Sequence, residues 1–312
     1  MARNLWRIAA CGMIIFGAIC GDAQSLNENR FETILRGLEY RESLVQSAAA
    51  VFDVVVTPTA DPWYVERAGD RLKSKHRLIK AFWAFDRDKV RQDEVVTHPD
   101  SPELDRDTQT AFDGYYGYYY DRTHAQGEKI TVGAVSEAER YWSGLWGWLQ
   151  VYPPLLVGSP LSYQLREEGE LLGRTVIDGA DVYQVRVVKT SKERQVTEEW
   201  WFAPQYDFLA LKHVTTVAVD DDEVEQKVVT MRVTEVSNSS QGVWVPSCAT
   251  QTVSVRLRDG REAVGYVTRY NLCMVMLNES LSASQFQVEF LPGAIVAMDD
   301  TVVQVGDETT EQ

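Results

Sequence analysis

The chain has 312 residues, 45% of them hydrophobic and 11% aromatic, with 46 acidic side chains against 31 basic ones and a formal charge of −15. That content is too apolar and too aromatic for a disordered chain, and the length suffices for one large or two ordinary domains with a real core. The acidic balance argues against nucleic acid and against anionic membrane surfaces as main partners, because both need clustered cations.

Arg3 and Arg7 precede an apolar run from Ile8 to Cys20, and Gly21-Asp22-Ala23-Gln24 follows. A charged start, an apolar stretch and small residues before a cut after Ala23 make residues 1–23 an export signal. The run is too short for a membrane-spanning helix, which needs about 20 apolar residues. Lipidation of Cys20 is the competing reading, and Ile19 fits it poorly, since such sites want a small residue directly before the cysteine. The expected mature protein is exported, to a periplasm or cell envelope, and keeps only Cys248 and Cys273 as cysteines.

Phe31, Ile34, Leu35, Leu38 and Val45 fall on one face at helical spacing, which predicts an amphipathic helix. Gly37 within it costs about 1 kcal/mol relative to Ala. From Ala48 the chain turns β-like, through Val51 to Val56, until Pro58 stops it. Apolar and polar residues then alternate at Tyr183–Val187, Val229–Thr234 and Val253–Arg258, the pattern of antiparallel strands with one wet side. Asp113-Gly114, Asp178-Gly179 and Asp259-Gly260 punctuate them as hairpin turns. One further helix is predicted from Ser136 to Gln150, with Trp142, Leu145, Trp146 and Leu149 on one face and Pro153-Pro154 ending it. The pattern reads as one α+β domain of two helices and about ten antiparallel strands over residues 24–298, followed by an acidic tail over 299–312 that frays. A boundary between Pro153 and Pro160 is the alternative division.

Few motifs carry chemistry. If Asp259-Gly260 closes a two-residue hairpin, Cys248 opposes Asn271, and Cys273 lies two residues further along the same face. A register shift near Gly260 would set the two cysteines opposite each other, so in an oxidising compartment they are a disulfide candidate; otherwise they are two small buried apolar residues. His76, His98, His124 and His213 show no metal-ligand spacing. Asp220-Asp221-Asp222-Glu223 lacks the spaced ligands of a calcium loop and reads as a solvated turn. No nucleophile elbow, metalloprotease helix or phosphate loop is present, so no catalytic residue, metal or cofactor is expected. The aromatics stand out instead: Trp142, Trp146 and Trp148 on one short helix, and five tyrosines at positions 115–120. Core packing accounts for such a cluster, and so does a concave sheet holding a greasy ligand.

Two stretches carry a family resemblance. Trp200-Trp201-Phe202-Ala203-Pro204-Gln205-Tyr206-Asp207-Phe208-Leu209-Ala210-Leu211 is similar to the strand, aromatic-x-Pro turn and return strand of the LolA-like lipoprotein carriers. Leu281 to Asp299, with Phe286, Phe290, Pro292-Gly293, Ile295-Val296 and Asp299, resembles their C-terminal pattern. The resemblance implies a curved, incomplete antiparallel β-barrel whose concave face is covered by helices and shelters acyl chains. It implies a non-enzymatic protein binding a lipid or lipoprotein acyl chain, with peripheral membrane contact compatible, and Trp142, Trp146, Tyr116, Tyr118 and Phe286 as lining candidates. The chain is longer than the carriers, and their lid-locking arginine does not align to one residue here, with Arg87 and Arg91 both candidates. An envelope protein-interaction or stress-sensing module without lipid is the alternative function, and an unrecognised hydrolase a remote one.

Overall fold

The computed structural model describes residues 29–69, 75–131, 160–190, 194–299 and 301–306. The export signal and the tryptophan helix with Trp142 and Trp146 lie outside these residues. The predicted first helix, α1, spans residues 29–43 and buries Ile34, Leu35 and Leu38. Among the described residues two short α-helices follow later, α2 (Pro62–Ala68) and α3 (Leu161–Glu168).

The strands are β1 (Ser47–Pro58), β2 (Arg77–Asp86), β3 (Lys89–Thr97), β4 (Arg106–Phe112), β5 (Tyr116–Asp121), β6 (Gln126–Thr131), β7 (Gly169–Ile177), β8 (Ala180–Thr190), β9 (Gln195–Ala203), β10 (Leu209–Ala218), β11 (Val224–Asn238), β12 (Trp244–Leu257), β13 (Glu262–Leu277), β14 (Ile295–Met298) and β15 (Thr301–Gln304). They form a single sheet in the order β15-β14-β6-β5-β4-β3-β2-β1-β13-β12-β11-β10-β9-β8-β7. Every pairing is antiparallel except β14 on β6, and the two end strands do not meet. The fold is thus mostly β, with fifteen strands where about ten were expected, and the sheet is not closed into a barrel.

β1 is the central strand. It pairs with β2 on one side and with β13 on the other, from Ala48↔Leu277 to Pro58↔Tyr266. Because strand side chains alternate, its two faces enter different packing. Ala48, Ala50, Phe52 and Val54 join Trp83, Phe85, Val90 and Phe112 in the main core, and Phe52 and Trp83 meet edge to face at 6.4 Å. Ala49 points to the opposite face, where it packs with Ala84 and Phe286.

On the β8–β10 part of the sheet, Val185, Val187, Trp200, Phe202 and Ala210 make an apolar patch that α1 and α3 cover. Val182, Trp201, Ala203 and Leu211 point away from that patch into the main core. The expected helical cover is therefore found, among the described residues, over the β8–β10 patch rather than over the main core. Glu42 of α1 ties the two helices together, accepting from the Ser162 backbone N–H at 3.0 Å and from its hydroxyl at 2.5 Å. Burial raises the Glu42 pKa, and the Ser162 bonds oppose that rise. Arg166 of α3 reaches Glu39 and Glu32 of α1.

The Asp-Gly hairpins form with two variations, the first at Asp113, whose N–H bonds the Tyr116 carbonyl and so puts Gly114 and Tyr115 in the turn. Asp178-Gly179 closes a two-residue hairpin with φ of 51° and 80°, as a type I′ turn needs. At the Asp259 hairpin Leu257 instead bonds Arg261, so three residues form the loop. A register shift between Val253 and Ser254 then restores the pairing Cys248↔Asn271.

After β13 the chain crosses back over the sheet. Phe286 is fully buried on Ala49 and Ala84, and Val288, Ala294 and Val296 pack on Ala111, Tyr118 and Tyr120. Pro292-Gly293 turns the chain, with Gly293 at φ 87°, into β14 beside β6. The tail expected to fray from residue 299 instead supplies β15, paired with β14 from Met298↔Thr301 to Ile295↔Gln304.

Gly37 has a packing reason that its helical position conceals. A Cβ there would lie 2.1 Å from the Phe208 ring, which occupies the space on α1. Gly37→Ala would stabilise an isolated helix by about 1 kcal/mol, yet in this fold it should cost about 1–3 kcal/mol through overpacking. A lower unfolding midpoint by circular dichroism checks this; a higher one would show that Phe208 moves freely.

Candidate functional site

The lining candidates on β5 alternate as a strand requires. Tyr118 and Tyr120 are buried under the C-terminal crossing, and Tyr119 faces the other way at 38% exposure. The Tyr118 hydroxyl donates to Asp113 at 2.9 Å, and burial together with that carboxylate raises its pKa. Tyr116 is half-buried, with Lys129 Nζ 4.4 Å from its ring centroid. Phe286 shares their face, held against Ala49 and Ala84. The structure thus brings Tyr116, Tyr118 and Phe286 to one face, opposite to Trp83, and fills the space around Tyr118 and Phe286 with the chain's own side chains.

Of the two arginines, Arg87 is exposed in a turn at φ 57°. Arg91 is the one that fastens a segment. It forms paired bonds to Asp93 at 2.8 Å, and its Nη1 donates to the Gln285 and Gln287 carbonyls at 3.2 and 3.1 Å. Cys248 and Cys273 stand as free thiols in the structure. Cys248 opposes Asn271, so Cys273 stays two residues away and its Sγ donates to Asp53 instead, at 3.5 Å. Burial and neighbouring carboxylates push both thiol pKa values up, away from the reactive thiolate.

The other face of the sheet carries the main core. Its centre is fully buried at Ala50, Phe52, Trp83 and Phe85. Around this centre the half-buried Ile79, Tyr270, Leu272 and Val275 continue the apolar surface. At the Val56 end it opens into a cavity of about 140 Å³ lined by Val54, Val56, Ile79, Tyr266, Thr268 and Tyr270, with Arg77, Glu94 and Gln251. Three strand neighbours supply these walls: Arg77 lies opposite Val56, Val56 opposite Thr268 and Thr268 opposite Gln251. Periodicity had no access to this cavity, because Arg77, Glu94 and Gln251 lie on three separate strands.

His213 stacks on Trp200 with ring centroids 3.5 Å apart, and its Nε2 lies 3.3 Å from the Thr215 hydroxyl. Burial and then the Lys189 charge lower its pKa to about 4.

No family model matches the sequence, and no curated protein matches it. Among solved structures, the chain is similar to a DUF1329 family protein from Desulfovibrio piger, at 11% identity and a TM-score of 0.46, covering 82% of this chain and 96% of that one. An uncharacterized conserved protein from Thermus thermophilus shares 10% identity, with a TM-score of 0.33 over 86% of this chain and 98% of that one. The lipoprotein LppX of Mycobacterium tuberculosis shares 11% identity, with a TM-score of 0.28 over 82% and 98%. Among the described residues, no helix is long and apolar enough to cross a membrane.

Two predictions follow from this geometry. Arg91→Met should free the Gln285–Gln287 backbone and cost about 1.5–3 kcal/mol, the worth of a charged hydrogen bond. Hydrogen exchange should speed up over residues 283–298 and stay unchanged over β8–β10; uniform acceleration would show that Arg91 serves the whole fold. The second concerns pH. Neutral His213 has a folded pKa of about 4, below the ordinary 6.5, so the unfolded chain binds the proton first. Its contribution to stability is complete above pH 6.5 and is lost as pH falls toward 4. His213→Gln should flatten the fall in unfolding midpoint across that window, and an unchanged slope would remove His213 from the account.

Proposed function

We propose that this chain is an exported, non-enzymatic protein that binds a hydrophobic ligand, a lipid or lipoprotein acyl chain, on the apolar face of β1, β2, β3 and β13, with the sheet curved as a half-barrel around it. The observation that carries this reading is the continuity of that face. Fully buried Phe52 and Trp83 pass into half-buried Ile79, Tyr270 and Leu272 and end at an open cavity of about 140 Å³. An apolar surface that remains accessible on an unclosed sheet is the usual place for a greasy ligand, and each buried CH₂ of an acyl chain contributes about 0.8 kcal/mol. Trp142 and Trp146 belong to this proposal as lining residues from outside the described part of the chain. Tyr116, Tyr118 and Phe286 act in it from the opposite face, as packing that holds the sheet.

A second reading has its own observation. β15 is an end strand with Val302 71% exposed, and a free strand edge accepts an extended segment of an envelope protein. Native mass spectrometry of the protein recovered from the exported fraction, before and after solvent extraction, separates the two. A bound mass that leaves with the organic phase supports the lipid site. A bare chain that stays bare after incubation with envelope lipids overturns it and favours the protein partner.

A further inference from the structure

The cavity at the end of the apolar face has a polar wall that a purely apolar ligand would not use. Arg77 stands there on β2, and its Nε–H is buried with no acceptor among the described residues. A buried donor left without a partner is destabilising, and an arginine normally meets a carboxylate or another acceptor. Glu94 lines the same cavity without forming an ion pair to Arg77 among the described residues; its Oε1 accepts from Gln92 Nε2 at 2.6 Å. The Tyr270 hydroxyl donates to Gln251 Oε1 at 3.2 Å, which leaves the Gln251 amide N–H groups unspent among the described residues. Tyr266 adds a further hydroxyl. Donors therefore converge on a small space, and the one acidic group beside them is occupied elsewhere.

We propose that this cavity is a head-group site, in which Arg77 and Gln251 hold the carboxylate of a fatty-acid-type amphiphile whose tail lies over Ile79, Tyr270 and Leu272. The inference rests on the hydrophobic-ligand reading above and names the chemistry of the ligand's polar end. A carboxylate fits better than the other heads. It is planar, carries a single charge and accepts a charge-assisted bond from a guanidinium. A phosphate would bring more negative charge than the single Arg77 guanidinium matches, and an ester or alcohol would leave Arg77 without a charged acceptor. Burial pushes the Glu94 carboxyl toward its protonated form, with Gln92 and the Arg77 charge opposing. A protonated Glu94 would donate to the second guest oxygen rather than repel it. The volume of about 140 Å³ suits a carboxyl group and its first methylenes, given about 30 Å³ for one water in the liquid.

The test uses the full exported chain, delipidated by solvent extraction, with sodium oleate, methyl oleate, a neutral phospholipid and sodium acetate as probes in equilibrium binding. Oleate should bind at least tenfold more tightly than methyl oleate, since a hydrogen bond to a charged group is worth that much or more. Acetate, which has the head and no tail, should bind far more weakly than oleate. Arg77→Met should bring oleate down to the methyl oleate level and leave methyl oleate unchanged, and Arg77→Lys should restore part of the difference. The comparison of acid with ester in the unaltered protein needs no variant, so a misfolded substitution does not decide the matter. Equal binding of oleate and methyl oleate, or equal loss of both in Arg77→Met at unchanged unfolding midpoint, overturns the head-group assignment and leaves hydrophobic binding standing. Acetate binding as tight as oleate overturns the amphiphile and makes this a small-anion site. If no acyl probe binds at all, the hydrophobic-ligand reading fails and this inference with it.

Discussion

The structure depends on the pairing of β1 with β13. β2 to β6 follow β1 as one antiparallel run, β7 to β13 form a second, and only the ladder from Ala48↔Leu277 to Pro58↔Tyr266 joins them into one sheet. This is a long-range pairing whose loop-closure entropy must be offset by burial, and β1 is built to supply it. Ala48, Ala49 and Ala50 are buried to 2% exposure or less, and the small Ala49 side chain leaves room for the Phe286 ring on its face. Phe52 and Val54 then add bulk to one face, where Trp83 and Phe85 meet them.

A sheet of this width has two faces to cover and two edges to leave open. One face is covered piecewise by the chain's own return: α1 and α3 lie over β8–β10, and the segment from Phe286 to Met298 lies over β2–β6. Arg91 fastens that return by holding two of its carbonyls. The opposite face is treated differently. It concentrates the largest buried side chains near β1 and β2, then thins into half-buried aliphatic and tyrosyl positions beside a cavity. The proposed ligand site lies at that cavity, beyond the buried centre of this second face.

Charge is distributed in keeping with that division. Exposed ion pairs such as Arg174–Asp181 and Arg232–Asp178 sit at turns, where screening leaves them worth little. The groups with consequence are the buried ones. Glu42 joins two helices, and His213 stays neutral in its stack on Trp200. Arg77 stands at the polar wall of the cavity with an unspent donor.

Much of the local structure was legible in the sequence. The apolar spacing of Ile34, Leu35 and Leu38 foretold α1, the Asp-Gly pairs foretold the hairpins, and turn arithmetic foretold Cys248 opposite Asn271. These depend on neighbours within a turn or a hairpin, and periodicity reports such neighbours directly. The tertiary structure decided what periodicity cannot reach. It set the strand count, since β14 and β15 exist only because the chain after Pro292-Gly293 finds β6. It chose the face of each tyrosine on β5, and it explained Gly37 by a ring from Phe208, far along the chain. The candidate site was the least legible part. Arg77, Glu94 and Gln251 are ordinary polar residues on three different strands, and only the pairing of β12, β13, β1, β2 and β3 brings them around one cavity. An alternating strand declares that a side chain faces one side of a sheet; whether that side meets water, core or ligand is set by which distant strands become its neighbours.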